Sequence, residues 1–157
     1  FSLERQPRGT GGAIALAMTC VRTPQALILN GDTFFDMNTD AFLASHASAG
    51  TPMSIALKPM RDFDRYGNVR LDADGRVEAF EEKRYCSEGT ISAGCYLLRR
   101  DSGVLDGLPE RFSFETDVLQ PLAGRGLVHG YTDNGYFIDI GGPEDYEQAN
   151  RELCRLF

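Results

Sequence analysis

After Gly9-Thr10-Gly11-Gly12, the apolar residues Ala13, Leu16, Ala17, Cys20 and Val21 recur every three or four positions. That is the period of one helix face, so a glycine loop feeding a helix of about 10 residues is predicted, with Pro24 ending the segment. Ala26-Leu27-Ile28-Leu29 is a continuous apolar run between turn residues. It predicts a strand buried on both faces, as in a parallel sheet. Asn30-Gly31-Asp32-Thr33 closes that strand. A second helix is expected over Asp40 to Ala49, capped by Asn38 or Thr39, and Met53 to Leu57 supplies the next strand. Strand, helix and strand in this order imply a βαβ unit.

The period then shortens to two. Asn68 to Leu71 and Arg76 to Phe80 alternate around Asp72-Ala73-Asp74-Gly75, a hairpin signal. Thr90 to Leu98 forms a further strand with Gly94 inside it, and glycine in a strand marks a bulge or a close approach. Ser113 can cap a helix over Glu115 to Leu122 that Pro121 truncates. Leu127 to Tyr131 and Gly135 to Ile140 read as strands around Thr132-Asp133-Asn134. A closing helix starts at Pro143, with Glu144 and Asp145 complementing its dipole and Tyr146, Ala149, Leu153 and Leu156 as its apolar stripe. The fold class is therefore α/β, Rossmann-like. A mixed, mainly parallel sheet carries helices on both faces and added antiparallel hairpins. The opening Phe1-Ser2-Leu3-Glu4 alternates like the tail of a strand, which leads us to expect a single domain, 1–157, that begins inside a fold.

Composition narrows the function. The 157 residues carry a formal charge of −7 and 25% charged residues, which offers no basic surplus for a nucleic acid polymer. No apolar run is long enough to span a membrane. Cys20, Cys86, Cys95 and Cys154 contain no C-x-x-C pair and do not cluster with His46 or His129, so reduced thiols in a cytoplasmic protein are expected.

Four groups of residues can carry chemistry. Asp32 follows the first buried strand, where ligands of open α/β sheets bind. Asp139 lies in the apolar run Tyr136 to Gly141, and a carboxylate drawn into such a run needs a partner or a cation. Each could equally serve its own turn or a wet face. The glycine loop 9–12 offers backbone N–H groups at a helix start, suited to an anion or a base edge. Glu82-Lys83 at the end of the hairpin can divide labour, the acid accepting sugar hydroxyls and the lysine meeting a phosphate.

In order along the chain stand Pro7-Arg8-Gly9-Thr10-Gly11-Gly12-Ala13, Asn30-Gly31-Asp32-Thr33, Val77-x-x-Phe80-x-Glu82-Lys83, Ser92-Ala93-Gly94-Cys95-Tyr96 and Phe137-Ile138-Asp139-Ile140-Gly141-Gly142-Pro143. This series resembles the sugar-1-phosphate nucleotidylyltransferases. Asn30 to Phe35, Asp64-Arg65-Tyr66-Gly67 and Phe112-Ser113-Phe114-Glu115 look most like the D-glycero-D-manno-heptose 1-phosphate guanylyltransferase branch, with the mannose-1-phosphate enzymes as neighbours. The resemblance implies a glycosyltransferase-A-like nucleotidyltransferase fold. It also implies attack of a sugar 1-phosphate on the α-phosphorus of a nucleoside triphosphate, GTP in that branch, with loss of pyrophosphate. By position in the family, Asp32 and Asp139 would hold Mg²⁺, Gly11 and Gly12 would lie against the nucleobase, and Gly31 would join the substrate site. Glu82 would bind sugar hydroxyls, Lys83 would serve catalysis by holding the sugar phosphate, and Ser92 and Gly94 would line the sugar's approach.

Three features depart from the family pattern. The opening glycine-rich loop with its Arg and Lys-Pro is absent, so the chain looks like the carboxyl-terminal two-thirds of a longer, N-terminally truncated enzyme. Ser92 stands where many relatives carry Asn, and Arg84 where Pro is usual. Two alternatives stay open: a non-catalytic sugar-nucleotide-binding or regulatory module, and an assembly protein pairing through an open sheet edge. The homo-oligomeric state is likewise open.

Overall fold

A computed structural model describes residues 1–154. Its centre is a four-stranded sheet built from β1 (Gln25–Leu29), β3 (Met53–Phe63), β6 (Cys86–Arg99) and β7 (Val128–Thr132) in the order β1-β6-β3-β7. β6 runs antiparallel to β1 and to β3, whereas β3 and β7 are parallel. The sheet is thus mixed, with three strands sharing one direction. β1 and β3 do form the two ends of a strand–helix–strand unit through α2 (Thr39–Ala49), but they are not neighbours, because β6 is inserted between them.

Alternation along β3 and β6 separates two faces. Met53, Ile55 and Leu57 of β3 join Tyr96 and Leu98 of β6 in the larger core cluster, which Ile14, Ala15 and Met18 of α1 (Gly9–Met18) cover. Ala56, Cys95 and Leu97 face the other way, against Phe42 of α2. α2 begins as expected, with the Asn38 side chain accepting from the Ala41 N–H at 2.9 Å. The hairpin of β4 (Gly67–Leu71) and β5 (Val77–Lys83) adds Val69 and Val77 to the larger cluster.

Several expectations are corrected. β1 is not buried on both faces: among the described residues it is the edge strand of the sheet, and Leu27 and Leu29 remain 41% and 59% exposed. The stretch 9–12 is not a loop but the first turn of α1. Glu115–Leu119 opens as a π-helical turn and only Gln120–Leu122, here α3, is α-helical. Pro121 has no N–H to bond back along the helix, which suits the wider turn. The strands around Asp133 do not form a hairpin. β8 (Phe137–Asp139) pairs instead with β2 (Thr33–Phe35), a strand the sequence reading took for a closing turn. In α4 (Pro143–Leu153) Ala149 is buried but Tyr146 is 56% exposed; Leu156 lies outside the described residues. Among the described residues, the four cysteines are free and no helix is long and apolar enough to cross a membrane.

Candidate active site

The β2–β8 ribbon brings the two aspartates together. Their separation in sequence is bridged by an antiparallel register in which Thr33 faces Asp139, and the Ile140 N–H donates to the Asp32 carbonyl at 2.9 Å. Both residues line a cleft of about 650 Å³, the size range of small-molecule sites. The Asp32 carboxylate makes no hydrogen bond or ion pair among the described residues, whereas Asp139 Oδ1 accepts from the Gly141 N–H at 2.8 Å.

The bulge in β6 shapes the cleft wall. Ile55 pairs with Tyr96 and Leu57 with Ser92, so three residues of β6, Ala93 to Cys95, stand against Ala56 alone in β3. Gly94 sits inside that bulge at φ +69°, and its carbonyl accepts from the Asn30 N–H at 2.8 Å. A Cβ there would strike the Asn30 side chain at 2.8 Å and Thr33 Oγ1 at 2.9 Å, so only glycine satisfies both conformation and space. Ser92 Oγ lies 3.3 Å from Tyr96 Oη, and the Tyr96 ring meets Phe114 edge-on at 5.2 Å.

Glu82 and Lys83 reach the same cleft from the end of β5, where Lys83 faces Gly67 in the hairpin register. Neither side chain makes a hydrogen bond or ion pair among the described residues. Glu81 contrasts with them: Arg84, Arg70 and Asn68 claim its carboxylate at 2.8, 3.2 and 3.2 Å. These bonds, Arg84's first, hold it below the usual carboxylate range. Glu82 is therefore the free acid of the pair.

Sequence reasoning assigned no site role to Tyr66. Its ring packs edge-on against Phe137 at 6.1 Å, and burial first, then the Asp139 charge, raise its phenol above the ordinary value. Arg65 beside it forms a two-point pair with Asp145 of α4, at 2.6 and 3.1 Å. The block Asp64-Arg65-Tyr66-Gly67 was the available signal. Three expected site residues lie off the cleft wall. Gly11 and Gly12 are buried against residues 110–112, where a Cβ would come within 2.2 Å of the Phe112 ring and 2.3 Å of the Glu110 carbonyl. The Gly11 N–H is already spent on the Phe112 carbonyl at 3.0 Å. Gly31 is exposed between two lining residues, Asn30 and Asp32.

Residues 1–155 match the family described as nucleotidyl transferase. The chain belongs to that family. A D-glycero-alpha-D-manno-heptose 1-phosphate guanylyltransferase from Aneurinibacillus thermoaerophilus is 41% identical over 98% of this chain and 66% of its own length. One from Campylobacter jejuni is 42% identical over 93% and 63%. The crystal structure of HddC from Yersinia pseudotuberculosis superposes with a TM-score of 0.83 at 33% identity, covering 96% of this chain and 64% of that one. A second HddC structure, complexed with GMP-PN, matches equally well at 32% identity. The chain thus spans a little under two thirds of the length of these relatives. Within this nucleotidyl transferase chain, the cleft walls carry five carboxylates, Asp32, Glu81, Glu82, Glu115 and Asp139, against one cation, Lys83.

Proposed function

We propose that this chain carries the acceptor side of an enzyme that transfers a nucleoside monophosphate to a sugar 1-phosphate, forming a nucleotide-diphospho-sugar. The acceptor is of the heptose or mannose class and the donor is GTP, by analogy with the relatives above. The observation that supports it is the β2–β8 register, which puts Thr33, the residue after Asp32, opposite Asp139, so that both aspartates line one cleft with Glu82 and Lys83. Lys83 meets the phosphate of the sugar 1-phosphate and Glu82 accepts hydroxyls of its ring. The sugar-phosphate oxygen then attacks the α-phosphorus, the bond to the pyrophosphate oxygen breaks, and no covalent protein intermediate forms. Positioning and charge neutralisation supply the rate.

The donor set fits a hard divalent cation: two carboxylates lining one cleft, one of them without a protein partner, with phosphate oxygens and water to complete the shell. No group of three acidic or sulfur and nitrogen ligands converges among the described residues, so such an ion would be shared with substrate. Mg²⁺ held by Asp32 and Asp139 would neutralise charge on the phosphates being exchanged. Tyr66 lies close enough to Asp139 to feel its charge, and the Arg65–Asp145 pair anchors the turn that carries Tyr66.

A second reading, a sugar-phosphate or sugar-nucleotide-binding module, is favoured by one feature. Lys83 is the single cationic side chain on a cleft that would have to receive a triphosphate. Pyrophosphate release from GTP with heptose or mannose 1-phosphate and Mg²⁺, beside calorimetry with the corresponding GDP-sugar, separates the two. Turnover that falls at least about a hundredfold in Asp32→Asn supports the transferase. Binding without turnover supports the module. Neither binding nor turnover with any sugar phosphate ends both.

A further inference from the structure

A second cavity, of about 320 Å³, lies at the start of β1 and the end of β6, the opposite end of these strands from the cleft. Its chemistry is the reverse of the cleft's. Arg22, Arg99 and Arg100 line it with one acid, Asp101, in a chain whose formal charge is −7. The acid is only loosely engaged, its Oδ1 lying 3.5 Å from Arg99 Nε. Arg100 Nη1 makes a long, exposed bond of 3.3 Å to the Arg22 carbonyl. The Arg22 guanidinium makes no hydrogen bond or ion pair among the described residues.

His46 of α2 also lines this cavity and is 98% buried, its exposure being 2%. Its Nδ1 lies 2.6 Å from Ser54 Oγ, but Nε2 has no hydrogen-bond partner, which makes it the one such buried side-chain atom among the described residues. Leaving a buried polar atom unpaired is costly, and such atoms call for a partner from outside the chain. Ser54 is fully buried and, among the described residues, its hydroxyl has no partner but His46. The arrangement leaving fewest groups unpaired has Ser54 donating to Nδ1 and the ring proton on Nε2. Nε2–H is then an unpaired buried donor of a residue that lines the cavity, with the Arg99 guanidinium near enough to act on the ring. Burial, and then the Arg99 charge, lower the imidazole's affinity for a second proton.

We propose that this cavity is a binding site for a phosphate-class oxyanion, either free phosphate or the phosphate group of a small ester. Arg22, Arg99 and Arg100 are its charged donors and His46 Nε2–H its innermost one. Guanidinium forks match the geometry of phosphate oxygens, and a volume well above that of a bare ion leaves room for a small organic remainder. The site is independent of the cleft and of the transferase reading.

The chain has two histidines, so imidazole signals in carbon–proton correlation spectra report on the site directly. His129, whose Nε2 lies 2.9 Å from Ser45 Oγ outside the cavity, is the internal control. Inorganic phosphate, pyrophosphate and a sugar 1-phosphate are titrated separately at ionic strength fixed with chloride. The expected result is a saturable shift of the His46 signal, with His129 unmoved. Affinity should fall at least about tenfold in Arg22→Gln/Arg100→Gln, two exposed positions whose replacement leaves the melting temperature unchanged. Phosphate binding as tightly as the ester identifies the free ion as the ligand, and a tighter ester identifies the phosphoester. The absence of a His46 shift with all three compounds, an equal shift with chloride, or unaltered affinity in the double variant would overturn the proposal.

Discussion

The four-stranded sheet and the β2–β8 ribbon hold their residues in place by different means. In the sheet, Met53, Ile55, Leu57, Leu97 and Leu98 are wholly removed from water, and the strands are long. The ribbon has three residues per strand, and of its six side chains Ile138 alone is buried. Polar struts do the rest. Lys58 Nζ reaches from β3 to the carbonyls of Asn134 and Gly135, both at 2.8 Å. Asp133 accepts from the N–H groups of Asn38 and Gly135 and from the Tyr131 hydroxyl. The Asp36 N–H donates to the Tyr136 carbonyl at 2.8 Å, and the Tyr136 hydroxyl donates to Glu152 of α4. Burial of that phenol and the Glu152 carboxylate push its pKa up to about 12. The contrast predicts that the ribbon carrying Asp139 opens locally while the sheet beneath stays intact.

The largest effect that tests this contrast is in the sheet. Leu97→Ala empties a fully buried position and should cost about 2–5 kcal/mol of global stability, read as a drop in melting temperature and urea midpoint together. A smaller loss would mean that the sheet is less continuous than its burial indicates.

Lys58→Met comes next. It removes two charge-assisted bonds to carbonyls, worth about 1–3 kcal/mol locally. Hydrogen exchange should speed up at the amides of Phe137 to Ile140 with little change in the global urea midpoint. A matching loss at β3 and β6 amides would abolish the distinction between the two regions.

Gly94→Ala joins them, because the bulge of the sheet touches the ribbon at Thr33. Forcing a Cβ into the left-handed region costs about 1–2 kcal/mol, and the displaced Asn30 and Thr33 side chains carry the disturbance to Asp32. Calorimetry should record weaker sugar-phosphate binding than the small stability loss alone explains. Equal and minor effects on both would show that the ribbon is positioned independently of the bulge.

The same division explains what the sequence made legible. Period and punctuation located α1, α2, β3, the β4–β5 hairpin and Gly94 in its strand, since each is dictated by local burial or by turn geometry. The β1 run Ala26 to Leu29 reads as doubly buried because apolarity alone cannot distinguish a central strand from an edge. β2 was invisible: Thr33-Phe34-Phe35 is too short to show a period, and its partner lies more than a hundred positions downstream. Asp32 and Asp139 could be singled out one at a time, but their meeting depends on that pairing. Gly11 and Gly12 carried a backbone signal that is real, yet what it serves is close packing against Phe112 rather than an open loop. Tyr66 needed the fold, because nothing in Asp64-Arg65-Tyr66-Gly67 says which carboxylate its hydroxyl will face.

The smallest effect separates the two regions by acidity. His46 and His129 sit against the sheet and are held below the ordinary imidazole value of 6.5, chiefly by burial. The unfolded chain therefore takes up protons first, so their contribution is complete above about pH 6.5 and shrinks as the pH falls below it. Asp133 braces the ribbon and is held below the ordinary carboxylate value of 3.8, first by the Asn38 N–H and then by that of Gly135. Its contribution is present above that value and is lost as the pH falls further through its lowered folded-state value. Urea unfolding across pH should thus weaken in the histidine range while β8 amide protection holds, and β8 should open only at more acidic pH. Asp133→Asn should remove the second step and leave the first. Simultaneous loss of both, beginning near pH 6.5, would mean that ribbon and sheet unfold as one unit and that the struts around Lys58 and Asp133 confer no local independence.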